Sequence, residues 1–172
     1  MQAQELFHNG VRDNGISLLS LSPLRFLIPD LPEDRRVASA AASAWEEAFG
    51  IKICLLHVPQ SEFFLSLGAS SYDLAFTTWH SIAKDSMLAF EPFEEPSLNP
   101  SKWSFDPLAN PIRRAAFASS DRRGCVREAE ELLIHEMPII PLFDCNQRFL
   151  TTPSFPKFSI CPFGTLDFQR MS

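Results

Sequence analysis

Apolar positions recur along the first half of the chain in two rhythms. Over 35–49, Val37, Ala41, Ala44, Trp45 and Ala48 return at about 3.6-residue spacing, which predicts an amphipathic helix whose small residues allow close approach to a sheet. Gly50 follows as the residue that takes the left-handed conformation cheaply at a helix end. The flanking runs 24–28 (LRFLI) and 51–58 (IKICLLHV) are rich in β-branched and apolar residues and predict strands. Between them 29–32 reads as a loop, with Asp30 three residues before Glu33 in a capping arrangement. Pro59 closes the second strand. Ser61 is placed to cap a short helix through Leu67, ended by Gly68, and 72–79 (YDLAFTTW) is the third strand. Strand, helix, strand, helix, strand predicts an α/β fold with a mostly parallel sheet and right-handed crossovers.

The flanks are less regular. Residues 2–9 predict a short helix with Gly10 near its end, and 13–15 a turn. Residues 91–110 are rich in Pro, Ser and Asn and read as an irregular loop; a loop of that length is usually functional. Asn110-Pro111 opens a helix to about Ala118. A helix from the capping residue Asp121 turns Val126, Ala129, Leu132, Leu133 and the 136–137 step inwards, with Arg127, Glu128, Glu130 and Glu131 outwards. Pro138 stops it. Ile139, Ile140, Leu142 and Phe143 read as a buried strand, and 146–151 as a second one. The tail after Pro153 reads as extended chain with a short strand near 166–168. The expected division is one domain over 1–172: helix and linker 1–23, β-α-β-α-β core 24–90, loop 91–110, helices and closing strands 111–152, tail 153–172.

Composition narrows the chemistry. The length suits one domain with a sizeable core, and 45% hydrophobic with 21% charged residues is ordinary globular composition. Sixteen Phe point to a bulky core or an exposed apolar face. A net charge of −6 excludes nucleic acid as a main partner, which needs a basic footprint. Cys54 and His57 have C-x-x-H spacing, but no second ligand pair follows, so no metal site is expected and Cys54 reads as part of a buried strand. His135 sits where a helix C-terminus favours a cation. The carboxylate pairs at 46–47, 94–95 and 130–131 read as solvated faces. No nucleophile motif is present and, with six Gly, no phosphate-cradling loop, so a non-enzyme without cofactor is expected. No apolar run reaches the ~20 residues of a membrane span. The polar N-terminus lacks a secretory pattern, which implies a cytoplasmic location if Met1 is the native start.

Five stretches in order resemble the family 5 extracellular solute-binding proteins, the peptide, dipeptide and nickel receptors of ABC importers. Residues 3–10 (AQELFHNG) resemble the family's early helix. VASAAASAWEEAFGIKI, 37–53, resembles its helix-to-strand passage ending in Gly-Ile. YDLAFTTW, 72–79, resembles an aromatic-Asp strand ending in Trp. Asn99 to Ile112 resembles an Asn-aromatic-(Asn-Pro) region, with Trp103 in the aromatic place, Asp106-Pro107 for Asn-Pro, the extra residue Phe105, and Asn110 where an acidic residue is usual. Residues 120–143, ending MPIIPLF, resemble the acidic helix and the strand after it. The chain is about a third of the length of such receptors.

The resemblance implies one lobe of the type II periplasmic-binding-protein architecture, a peptide ligand, a membrane permease or second lobe as partner, and a periplasmic location. It places ligand contacts at Trp79, with Thr78 (and Thr77) before it and His80 after it. In peptide-binding relatives an aspartate three residues beyond this tryptophan holds the ligand's ammonium; here that position is Ile82, and Phe76 stands where a basic residue is common. The alternative is a truncated relative that has lost solute binding and serves as an interaction or split-receptor module, with an exposed apolar face that supports a homodimer.

Overall fold

The computed structural model describes residues 2–69, 71–78, 85, 88, 90–94, 99, 101–103, 111–114, 121–144, 150, 152, 159–160 and 166–167. The chain divides into two compact units, Met1–Thr78 and Trp79–Ser172.

In the first unit, β1 (Leu24–Pro29) lies between β2 (Ile53–Val58) and β3 (Leu74–Ala75), and both pairings are parallel. Leu24 stands opposite Ile53, and Phe26 is opposite both Leu55 and Leu74. Helix α1 (Gln2–Asp13) precedes the sheet, α2 (Pro32–Phe49) links β1 to β2, and α3 (Gln60–Ala69) links β2 to β3. Alternation along β1 divides the core. Phe26 and Ile28 pack with Ala38 and Ala42 of α2, joined by Trp45, Ile53, Leu55, Leu74 and Phe76. Leu27 packs on the opposite face with Phe63 and Leu67 of α3, joined by Leu56, Val58, Tyr72 and Ala75. A strand covered on both faces needs a continuous apolar run, and Phe26, Leu27 and Ile28 supply one, with Arg25 before them exposed.

Several boundaries differ from expectation for identifiable reasons. Helix α1 passes through Gly10, since an interior glycine costs only about 1 kcal/mol relative to Ala. It stops where Gly15 turns left-handed (φ 63°), with Ile16 N–H donating to Val11 C=O (2.9 Å) and Gly15 N–H to Arg12 C=O (3.0 Å), the double bond of a Schellman end. Asp30 does not cap α2. The capping position is Leu31, with Pro32 in the first turn, where its missing N–H costs nothing; Asp30 pairs instead with the Arg35 guanidinium. Gly50 ends α2 as expected, at φ 69° with its N–H on Glu46 C=O (3.0 Å). Helix α3 starts at Gln60, ahead of Ser61, and continues past Gly68. Cys54 is on β2 but exposed, although Leu56 and Val58 on the same face of the strand pack against the α3 cluster. The third strand is only two residues long rather than 72–79. Odd-numbered residues of β1 face β3, as Asp73 N–H to Arg25 C=O (2.9 Å) and Phe76 N–H to Leu27 C=O (2.9 Å) attest; the next is Pro29, which has no N–H to extend the ladder.

In the second unit a one-turn helix, α4 (Glu91–Glu94), interrupts the expected 91–110 loop, and 111–114 are helical. Helix α5 (Arg122–Glu136) buries Cys125, Ala129 and Leu133. Phe90 and Ile112 are buried in the same cluster, with Phe93, Trp103, Val126 and Leu132 against it. Asn99 is buried: its Oδ1 accepts from Ser101 N–H (3.0 Å) and Ser101 Oγ (2.7 Å), and its Nδ2 donates to Trp103 C=O. That is a physical role for the Asn and the aromatic of the motif at 99–103. Asp121 occupies the position before α5 but makes no side-chain capping bond. Arg122 pairs with Asp85 (2.6 Å) and Arg114 with Glu128. Helix α5 ends at a left-handed Met137 (φ 50°). The buried strand expected next is absent: Ile139, Ile140, Leu142 and Phe143 are exposed, and Pro138 and Pro141 remove two ladder donors from the run. The short strand near 166–168 is found as β5 (Leu166–Asp167), antiparallel to β4 (Ser159–Ile160), which the sequence reading did not place. The strand expected over 146–151, the rest of the helix to Ala118 and most of the tail lie outside the described residues.

Candidate functional site

The strand order β2-β1-β3 turns back on itself. The chain leaves β1 through α2 on one face, and returns from β2 through α3 on the other to reach β3 on the far side of β1. Such a reversal opens a crevice at the carboxyl ends of the adjacent strands, where open α/β sheets bind ligands. Here those ends are Pro29–Asp30 of β1 and the segment after Ala75 of β3.

Of the residues the sequence reading assigned to ligand contact, Thr78 lies at this edge, exposed, next to exposed Thr77. Trp79 and His80 lie outside the described residues, as does Ile82. Phe76 is half-buried and packs towards Phe26 and Ile28, so the residue for which the family resemblance implied a base is part of the hydrophobic layer.

The structure adds a polar group the sequence reading did not assemble. Asp30, at the end of β1, pairs with Arg35 in the first turns of α2, and its Oδ1 is 4.0 Å from Nδ1 of His57 on β2. All three side chains are solvent-accessible. A carboxylate, a guanidinium and an imidazole offer donors and acceptors for the polar main chain of a ligand. The signal was in the sequence, because Asp30 and His57 sit at the ends of consecutive parallel strands, but their register was needed to join them. Among the described residues no three His, Cys, Asp or Glu side chains converge as a metal site would require.

The opposite end of the sheet is clamped. The Asp73 carboxylate accepts from Arg25 N–H (2.7 Å), Nε (3.1 Å) and Nη2 (3.0 Å), so the Asp of the YD motif locks β3 onto β1. Hydrogen bonds from Arg25, side chain then backbone, lower the Asp73 pKa, while the Asp73 bond raises that of Arg25. A depressed folded-state pKa contributes stability that is present above the unfolded value of ~3.9 and is lost as pH falls through the folded one. Thermal unfolding of the native chain should therefore steepen in its loss of stability below about pH 4, and Asp73→Asn should flatten that limb. The pair is well exposed, so the difference should be modest and shrink in salt. Asp34 acts in the opposite sense, since burial and then Glu33 raise its pKa. An identical acid limb in Asp73→Asn would remove the clamp from the explanation.

The chain matches no family model. It is 23% identical over 172 residues to the dipeptide-binding protein DppE of Bacillus subtilis, covering 98% of this chain and 31% of that protein. It superimposes with a TM-score of 0.81 on the pheromone receptor PrgZ, a structure described with its mode of peptide binding, at 20% identity over 99% of this chain and 33% of the receptor. A peptide-binding protein of a peptide ABC transporter gives a TM-score of 0.74 at 20% identity, over 82% of this chain and 63% of that one. The chain thus spans about a third of the length of DppE and of PrgZ. The fold is that of periplasmic-binding-protein-like peptide receptors.

Proposed function

We propose that this chain, a counterpart of about one third of the solute-binding proteins of peptide ABC transporters, is a non-enzymatic lobe that takes part in capturing a peptide for import. The carrying observation is the likeness to peptide-binding proteins along nearly the whole chain; of the expected ligand positions, Thr78 is described, exposed on the segment after β3. In this reading Trp79 stacks on the ligand, Thr78 and His80 supply polar contacts, and the polar group around Asp30 extends the site. The ligand reaches a membrane permease outside the cytoplasm, and the second wall of the clamp comes from the receptor portion that relatives carry beyond this third. With Ile82 in place of an acid, the site favours contacts to peptide main chain and side chains over capture of a free ammonium.

The test is calorimetry with defined peptide pools, alongside native mass spectrometry of the purified chain. Retained masses in the peptide range are expected, and Trp79→Ala should weaken binding about tenfold, the value of one aromatic contact of ~1.5 kcal/mol. No heat and no retained mass would count against peptide binding by this chain.

One observation favours a second reading, an interaction or split-receptor module. Met137, Ile139, Ile140, Leu142 and Phe143 form an exposed apolar run after α5, and such runs mark protein contacts. A ligand-free heterocomplex in the same spectra would favour it.

A further inference from the structure

We propose that the outer edge of β2 is a self-association surface, at which two copies of the chain pair antiparallel about a two-fold axis through Leu55.

The register identifies which backbone groups face outward. Leu24 N–H donates to Lys52 C=O and Asp30 N–H to Val58 C=O, both at 2.8 Å. Even-numbered residues of β2 therefore bond to β1, and the amides and carbonyls of Ile53, Leu55 and His57 point away from it, since ladder groups alternate sides along a strand. Among the described residues no strand pairs on this side. One of these groups is occupied: Ile53 N–H donates to Glu46 Oε1 at 2.8 Å, so Glu46 is an edge cap and not the solvated carboxylate its sequence context suggests. Within Ile53–Val58 there is no proline, no lysine and no glutamate, the devices by which edge strands usually avoid pairing.

The edge is complementary to itself. Turned about Leu55, the two copies exchange Leu55 N–H and C=O reciprocally, and His57 N–H of each reaches Ile53 C=O of the other, which leaves the Glu46 cap in place. Charge selects the antiparallel sense. Exposed Lys52 precedes one end of β2, and Asp30 stands beside the other through its amide bond to Val58. Antiparallel pairing brings each Lys52 towards the Asp30 end of the second copy and each Glu46 towards His57, whereas parallel pairing would align like with like. This pairing shares Asp30 and His57 with the peptide-binding reading, but it rests on the β2 edge alone and its tests read self-association, so either can fail without the other.

Two measurements test it on the full chain. In sedimentation equilibrium the native chain and His57→Ala should dimerise alike, because alanine keeps the edge N–H. His57→Pro removes that donor without touching the bonds to β1 and should be monomeric with unchanged circular dichroism. In the proposed register Cys54 faces Leu56 across a non-hydrogen-bonded pair at ~4.5 Å between Cα atoms, within the span of a disulfide. Leu56→Cys should thus give a covalent dimer under copper-phenanthroline oxidation, with the linked peptides mapping to 53–58, and adding Cys54→Ala should abolish it. A native chain that is monomeric at every concentration overturns the proposal. So does a dimer that survives His57→Pro, or one that yields no cross-link in this register.

Discussion

Phe26→Ala should cost about 3–5 kcal/mol, a large share of the 5–15 kcal/mol typical of a domain. Phe26 is 2% exposed and lies on the central strand, opposite Leu55 on one side and Leu74 on the other. Its ring lies 5.7 Å from that of Trp45, over Ala38 and Ala42 of α2. Truncation leaves a cavity among side chains held by a helix and three strands, which have little freedom to collapse. Urea unfolding should show a lower midpoint with an unchanged slope, since the surface exposed on unfolding is nearly the same. Phe64→Ala is the matched control. That ring is 71% exposed on α3, and its loss should stay within about 0.5 kcal/mol. Equal losses for the two phenylalanines would mean that β1 is not the centre of this sheet.

What the sequence made legible follows from how local each signal is. The helix that became α2, the glycine that ends it, and the runs LRFLI and IKICLLHV carry their periodicity within a few residues, and they stand where periodicity put them. Asp30, Glu46 and Asp73 depend on distant partners. An acid three residues before Glu33 looks like a cap until Arg35 competes for it. A Glu-Glu pair looks solvated until the chain turns at Gly50 and brings Ile53 N–H against one member. Asp73 looks like a motif letter until the register of β3 sets it on Arg25. The IIPLF run misled for a different reason: apolarity and β-propensity describe a strand only where a neighbour pairs with it, and two prolines leave fewer groups to pair. As for the candidate site, strand order supplied the crevice edge that follows β3, and Thr78 stands there. Trp79 and His80 remain proposals from sequence alone.

In the second unit, Leu133→Ala should be among the most damaging changes, at about 2–5 kcal/mol. The 3.6-residue rhythm of α5 points Leu132 and Leu133 inwards together, but the structure distinguishes them. Leu133 is 9% exposed and continues the row Cys125, Ala129 on one line of the helix, against Phe90 and Ile112; Leu132 is half-buried at its margin. The next residue, Ile134, is 63% exposed, so Ile134→Ala exchanges a poor helix former for the best one at little packing cost, and should be neutral or stabilising by a few tenths of a kcal/mol. Amide hydrogen exchange along α5 reads the contrast directly. Opening of the helix should become at least about 30-fold more frequent in Leu133→Ala, the factor corresponding to ~2 kcal/mol, and should be unchanged or slower in Ile134→Ala. If instead Ile134→Ala accelerated exchange as much, the exposed side of α5 would itself be packed against another surface, and the interaction-module reading would gain the contact it needs.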